Sequence, residues 1–350
     1  MCLFVLFVVA SASSFSAFYE KWHFREPGGR GFDPVASFGQ MIDGTANRPY
    51  VYRQFVPDIA NALAHASPIV AISRHIPDRA KQKIDKAFDL PSKPYPVQYL
   101  IAYIATYLAA LLAVFALYLA CRAASLSPPV SAFTAVIFML LFPLFGVKGG
   151  YFFDYPELLF MAAAAWIALQ FEWWWIIPIA ALGTWNKESF LLFIFTLYPM
   201  IRRRRSRNSS LVAVCVLVAV CAAVYLPIRI HFAQNPGGTV EWHLRDQISF
   251  YLHPFAMDTW IDRTYDLMFP ALSSPLSTLL LIWLVWRTWR FLPSYIQRHG
   301  QIAALINVPL FFLFCQPGEF RDLSLLYICL LFIVAVSLQR WMRQFPEQSL

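Results

Sequence analysis

Ionisable side chains are sparse in this chain and gather at a few places. Phe153-Asp154-Tyr155-Pro156-Glu157 sets two carboxylates three residues apart. They share one face if a helix opens there, Pro156 being an allowed first-turn proline. Asn186-Lys187-Glu188-Ser189 holds an ammonium beside a carboxylate between two apolar segments, and Glu319-Phe320-Arg321-Asp322 follows Pro317-Gly318 before the last apolar run. The densest set comes earlier: Asp33-Pro34, Asp43-Gly44, and the aromatic and cationic stretch Arg48-Pro49-Tyr50-Val51-Tyr52-Arg53, with Asp58 just beyond. A carboxylate can take a proton from a nucleophile, and a guanidinium or ammonium can neutralise a departing phosphate. Arg53, Lys187 and Arg321 are the cations placed for that work, a guanidinium fork suiting bidentate contact with an anion. Each motif also has a plain structural reading. Asp154 and Glu157 suit an N-cap and a helix-dipole partner, Lys187 with Glu188 suits an ion pair, Arg321 suits a salt bridge to a neighbouring carboxylate, and Asp33 and Asp43 suit turns. The seven histidines show no HExxH or comparable spacing, so no metal site is assigned.

The elements that must position these groups are membrane helices. The chain is 59% hydrophobic and only 14% charged, with a mean hydropathy of +0.53, far from the composition of a water-soluble domain. The fold class expected is all-α: a polytopic bundle of about ten transmembrane helices forming one integral membrane domain over residues 1–350. The expected spans are 3–18, 99–120, 130–147, 158–170, 173–184, 190–201, 211–230, 270–285, 302–314 and 323–338. The segment around 173–201 reads as two short helices or one broken, re-entrant element. The first run resembles a signal peptide at Ala10-Ser11-Ala12, but no Lys or Arg precedes it, so it is expected to stay as helix one. Residues 19–97 form a long polar loop. Within it, 57–76 reads as an interfacial helix and 79–89 as a short solvated one. All six cysteines lie in or beside apolar runs, so no disulfide framework is indicated.

The formal charge of +8 does not point to nucleic acid, because much of it sits at helix ends. With the N-terminus inside, the short cytoplasmic segments hold Arg122, Arg202, Arg203, Arg204, Arg205, Arg207, Arg287, Arg290, Arg298, Arg340 and Arg343. The short outward ones hold Lys148, Lys187, Arg229, Arg245, Arg263 and Arg321. That asymmetry puts both termini in the cytoplasm of a plasma or inner membrane, with 19–97 outside. Asp33, Asp43, Arg53, Asp154, Glu157, Lys187, Glu188, Arg229, Glu319, Arg321 and Asp322 then all fall on the outer side. A charge at membrane depth costs about 2.5–3.5 kcal/mol, so such a convergence predicts a polar, outward-facing cavity. Lys187, Glu188, Glu319 and Arg321 are expected to line it together.

A short first helix, a long outward loop with carboxylates and an interfacial helix, then a bundle with charges at its outward ends, resembles the GT-C superfamily of membrane glycosyltransferases across nearly the whole chain. No adjacent acidic pair or DxD occurs in the loop, which departs from that family's pattern. The resemblance implies transfer of a sugar from a polyprenyl-phosphate-type donor, with membrane lipid and a lipid-linked sugar as partners. It implies a first-loop carboxylate, Asp33 or Asp43, as base, and Arg53, Lys187 or Arg321 near the phosphate. Asp154, Glu157, Glu188 and Glu319 complete the substrate-binding set expected from their outward positions. No cofactor can be named from the sequence. A transporter or flippase for an anionic or lipid-linked substrate would use the same embedded charges, and a non-catalytic scaffold would use the loop for contacts.

Overall fold

The computed structural model describes residues 2–27, 31–66, 77, 79, 83, 86, 95–146, 149–238, 242–253 and 261–344. Long runs rich in Leu, Ala, Val and Phe, with few charges and those mostly near their ends, become its long helices. Those runs are α1 (Cys2–Trp22), α4 (Pro96–Ala123), α5 (Pro128–Phe145), α10 (Arg207–His231) and the C-terminal stretch Phe320–Arg343, which contains α14 (Tyr327–Arg343). All five are long and apolar enough to cross a membrane. At 1.5 Å per residue, about 20 residues cover a hydrocarbon core of about 30 Å. Their outer faces carry exposed Leu108, Leu112, Val212 and Leu226, apolar patches that suit lipid rather than water.

Most of the other expected spans are shorter or broken. Residues 158–170 fall in α6 (Asp154–Gln170), 17 residues long. The segment 173–201 divides into a 3-10 turn (Trp173–Trp175), α7 (Ile176–Asn186), α8 (Ser189–Thr196) and α9 (Tyr198–Arg202). None of these is long enough to cross alone, as either a pair of short helices or a broken element would be. Two helices complete this end of the chain, α12 (Pro275–Trp289) and α13 (Ser294–Phe314). The polar Gln297, Arg298, His299 and Gln301 occupy the first half of α13. Between α10 and α12 lie a short helix, α11 (Leu244–Leu252), and a two-stranded hairpin, β1 (Ile261–Thr264) with β2 (Leu267–Pro270). The hairpin corrects the expected helical span beginning at 270: strand two ends there, and α12 starts five residues later behind Ser274, which caps it. Tyr265 and Asp266 form its turn at φ 57 and 55. That is the left-handed pair a two-residue hairpin loop requires, here without the Asn-Gly that would announce it.

In the first loop, α2 (Phe38–Ile42) and α3 (Phe55–His65) are amphipathic elements packed on the bundle, α3 lying along α4. The expected interfacial helix thus begins two residues early; residues 67–76, most of 79–89, and Lys148 lie outside the described residues. The core is built on small residues. Ala102, Ala109, Ala110, Ala113, Ala116 and Ala120 of α4 are buried, as are Ala162, Ala164, Ala165 and Ala168 of α6, letting these two backbones approach closely. Alongside, Phe15, Phe18 and Phe142 meet the buried Tyr155 ring by edge-to-face and tilted contacts, and Tyr327 in turn meets Phe142 edge to face.

Candidate functional site

The chain breaks between α7 and α8 because of how Gly183 and Phe190 meet. A Cβ at Gly183 would lie 2.6 Å from the Phe190 ring, so only glycine lets α8 fold this tightly against α7. Lys187 is extended (φ −159) and its N–H still donates to Gly183 O at 2.9 Å. The break therefore presents Lys187 and Glu188 side by side at the ends of two helices. A second presentation follows α13. Gly318, at φ 85, turns the chain into a 3-10 segment, Phe320–Leu326, that leads into α14. Asn307 of α13 pins that segment at two points: its Nδ2 donates to Asp322 O at 2.8 Å, and its Oδ1 accepts from Leu325 N–H at 3.0 Å.

These pieces enclose a cavity of about 290 Å³, walled by Tyr50, Arg53, Lys187, Glu188, Glu319, Arg321 and Asp322 among others. Lys187, Glu188, Glu319 and Arg321 thus share one cavity, and Arg53 joins them from the first loop. Arg53 grips Glu188 with Nη2 to Oε1 at 2.8 Å and Nε to Oε2 at 3.3 Å, its guanidinium lying over the Phe153 ring at 4.6 Å. The buried Arg321 lies near three carboxylates: Glu319 at 3.4 Å, Asp154 at 3.5 Å and Asp322 at 3.7 Å. It also covers Tyr151 at 4.7 Å. Among the described residues, Arg53 Nη1 and Arg321 Nε and Nη1 donate no hydrogen bond. Buried donors of this kind are costly to leave unsatisfied.

Asp154 and Glu157 stand just behind the wall. Asp154 Oδ2 accepts from Tyr151 N–H at 2.8 Å, closing the first turn of α6. Glu157 is saturated: it accepts from Lys187 Nζ at 2.8 Å and from the hydroxyls of Ser189 and Ser324, each at 2.7 Å. It joins three separate segments. Glu188 is likewise engaged, by Arg53. Glu319 is only lightly engaged, with Gln316 N–H at 3.2 Å and the long Arg321 contact, and Asp322 meets Lys187 at 3.5 Å and Arg321 at 3.7 Å. Burial, partly offset by Arg321, pushes the Glu319 carboxyl above the usual range.

The first-loop aspartates sit elsewhere. Asp33 accepts from Arg25 Nη1 at 2.9 Å, Tyr151 hydroxyl at 2.7 Å and Val35 N–H at 3.0 Å, one layer behind the cavity. Asp43 caps the end of α2 and accepts from the Tyr95 hydroxyl, away from the wall. Asp58 accepts from Trp185 Nε1 at 3.1 Å. Neither Asp58 nor Arg229 lines the cavity.

Arg25 was not anticipated. It caps Gly150 O at 3.0 Å and stacks on Tyr151 at 4.0 Å. A Cβ at Gly149 would meet Glu319 Oε1, Arg321 Nε and Arg25 Nη2 at 3.1–3.5 Å, so this glycine lets both arginines close on one backbone strip. The only signal in the sequence is its place three residues after Trp22, just past the first apolar run. Ser189, Ser324 and Asn307 carry no signal at all, since their roles depend on partners up to 167 residues away. Among the described residues, no three His, Cys, Asp or Glu side chains group as a metal site would require. No protein-family model, curated protein or solved structure matches the chain.

Proposed function

We propose that the chain is a membrane glycosyltransferase of GT-C type, moving a sugar from a polyprenyl-phosphate donor to an acceptor at the membrane face that holds the 290 Å³ cavity. The observation that carries this is the mixture of charge in that cavity. Arg53, Lys187 and Arg321 face or adjoin five carboxylates: Asp154, Glu157, Glu188, Glu319 and Asp322. A plain anion trap would show an excess of cations. Here at least one carboxylate is left over after pairing, which is what a reaction needs if one group takes the acceptor proton while guanidinium donors steady the leaving phosphate.

Within this proposal Glu319 is favoured as the proton acceptor over Asp33 and Asp43. It lines the cavity, its hydrogen bonds are few, and its raised carboxyl value brings it nearer to neutral pH. Asp33 acts through Arg25 and Tyr151, as a positioning group. The test is transfer from a synthetic polyprenyl-phosphate-linked sugar by the purified chain. Glu319→Gln is expected to lose roughly 10²–10⁴-fold in rate, and wild-type activity to fall on acidification through a value above that of an ordinary glutamate. Stability should move the other way. A carboxyl raised by folding keeps its proton longer in the folded chain, so its contribution is present at low pH and lost as pH rises through that window. Glu319→Gln should remove this slope without lowering stability at neutral pH. If Glu319→Gln transfers normally while Asp33→Asn or Asp43→Asn does not, the base lies in the first loop. Absence of transfer by wild type with every lipid-linked sugar tried would defeat the transferase proposal itself.

A further inference from the structure

The arginine run 202–205 divides in two. Arg204 Nη1 donates to Phe171 O at 3.2 Å, and Arg205 pairs with Glu172, so these two close the loop between α6 and the tryptophan turn. Arg202 and Arg203 turn instead toward the start of α13, where Arg298 stands one turn in from the helix end. Together with Tyr198 and Tyr295 they wall a hollow of about 390 Å³. Arg203 lies over the Tyr295 ring at 4.9 Å. No acidic side chain lines this hollow among the described residues. Three exposed cations therefore converge without a counter-charge, at the N-terminus of a 21-residue helix whose first N–H groups lack intrahelical partners. This is the opposite of the mixed-charge cavity, and it lies at the other end of α13.

A second hollow adjoins it. Gln301 borders both the arginine pocket and an apolar slot of about 470 Å³ between α12, α13 and α14, walled by Leu281, Val285, Trp289, Leu330 and Ile333. A pocket of unbalanced positive charge at the helix ends, continued by an apolar slot along the same helices, matches one kind of molecule: an anion with a hydrocarbon chain. The seam is fixed, because His299 Nδ1 is bonded to Thr196 O at 2.8 Å and ties α13 to α8.

We infer that Arg202, Arg203 and Arg298 form a binding site for the phosphate of an anionic glycerophospholipid, with an acyl chain lying in the slot beside Gln301. This site is separate from the proposed transfer cavity and does not depend on that proposal. The chemistry is the attraction of clustered basic side chains to anionic headgroups, of which each Arg contributes about fivefold in affinity.

The experiment titrates full-length chain, purified in a neutral detergent, with dioleoyl phosphatidylglycerol or dioleoyl phosphatidylcholine and counts bound lipid by native mass spectrometry. Wild type should retain the anionic lipid preferentially. The triple variant Arg202→Gln/Arg203→Gln/Arg298→Gln should bind it roughly a hundredfold less tightly, while Arg204→Gln/Arg205→Gln/Arg207→Gln should keep it. Equal retention of the two lipids, or equal losses in the two triple variants, would overturn the site. A photoactivatable phosphatidylglycerol on wild type gives a measurement free of folding defects: its adducts should map to 198–203 and 294–302, and adducts confined elsewhere would refute the assignment. Displacement of the lipid by millimolar inorganic phosphate alone would transfer the site to free phosphate and defeat the lipid reading.

Discussion

Lys187 is enclosed on every side, with 4% of its side chain exposed, and its ammonium faces Glu157 at 2.8 Å and Asp322 at 3.5 Å. Two charges taken this far from water are held by each other, so removing one strands its partner. Lys187→Met should lower stability by about 3–5 kcal/mol, measured by thermal or denaturant unfolding in detergent. Glu157→Gln should cost a comparable amount, because two serine hydroxyls would then face an amide and the ammonium would lose its closest counter-charge. The double variant should cost less than the sum of the two; strict additivity would mean that the pair is not coupled. At this scale the sequence marks which charges are unusual, since an ammonium beside a carboxylate between apolar runs is visible by inspection. It does not mark who answers them. Glu188 neighbours Lys187 in sequence yet is claimed by Arg53, while Lys187 is claimed by Glu157, 30 residues back. Asp33 reads equally as turn and base until Arg25 and Tyr151 are seen on it.

Among elements, the broken segment between α7 and α9 fixes the geometry of the cavity. Gly183→Ala would place a methyl 2.6 Å from the Phe190 ring and force α8 away from α7. A loss of about 1–3 kcal/mol is expected from such overpacking. Lys187 and Glu188, at the joint, should shift with it, which limited proteolysis or cysteine accessibility around 186–189 would report; unchanged stability would mean that α8 yields without strain. The break was legible, because charged and polar residues interrupt two apolar runs that are each too short to span. The hairpin after α11 was not. Its strands are four residues each, most of their described side chains exposed, and its turn uses Tyr265 and Asp266 in place of glycine. Periodicity over four residues cannot separate a strand from the start of an apolar helix, and the Leu267-Met268-Phe269 run looks continuous with α12.

For the whole molecule, the mixed-charge cavity and the arginine pocket lie at opposite ends of α13, and α14 runs from the first back to Arg340 and Arg343. The arginine asymmetry predicts which of these two ends faces outward: the one that carries the first loop. A variant lacking native cysteines, given single cysteines at Lys83 or at Ser206, provides the test in intact cells. An impermeant reagent should label position 83 and spare position 206; the reverse pattern would invert the molecule. Composition and charge bias made the membrane class visible at once. The cavity was visible only as a list of residues, because its walls come from the α7–α8 joint, the end of α13 and the segment after it, and the first loop, and nothing in linear order says that these meet.

The pair of hydrogen bonds made by the Asn307 side chain has a consequence for how the chain enters a bilayer. The 3-10 segment before α14 departs from helical backbone at Leu323, and the carbonyl of Asp322 and the N–H of Leu325 are answered by that one amide from α13. In hydrocarbon, each backbone group left unanswered costs several kcal/mol. Helix α14 and its leader are therefore poor candidates for insertion by themselves. They are better delivered together with α13 as a paired hairpin, the two helices entering jointly.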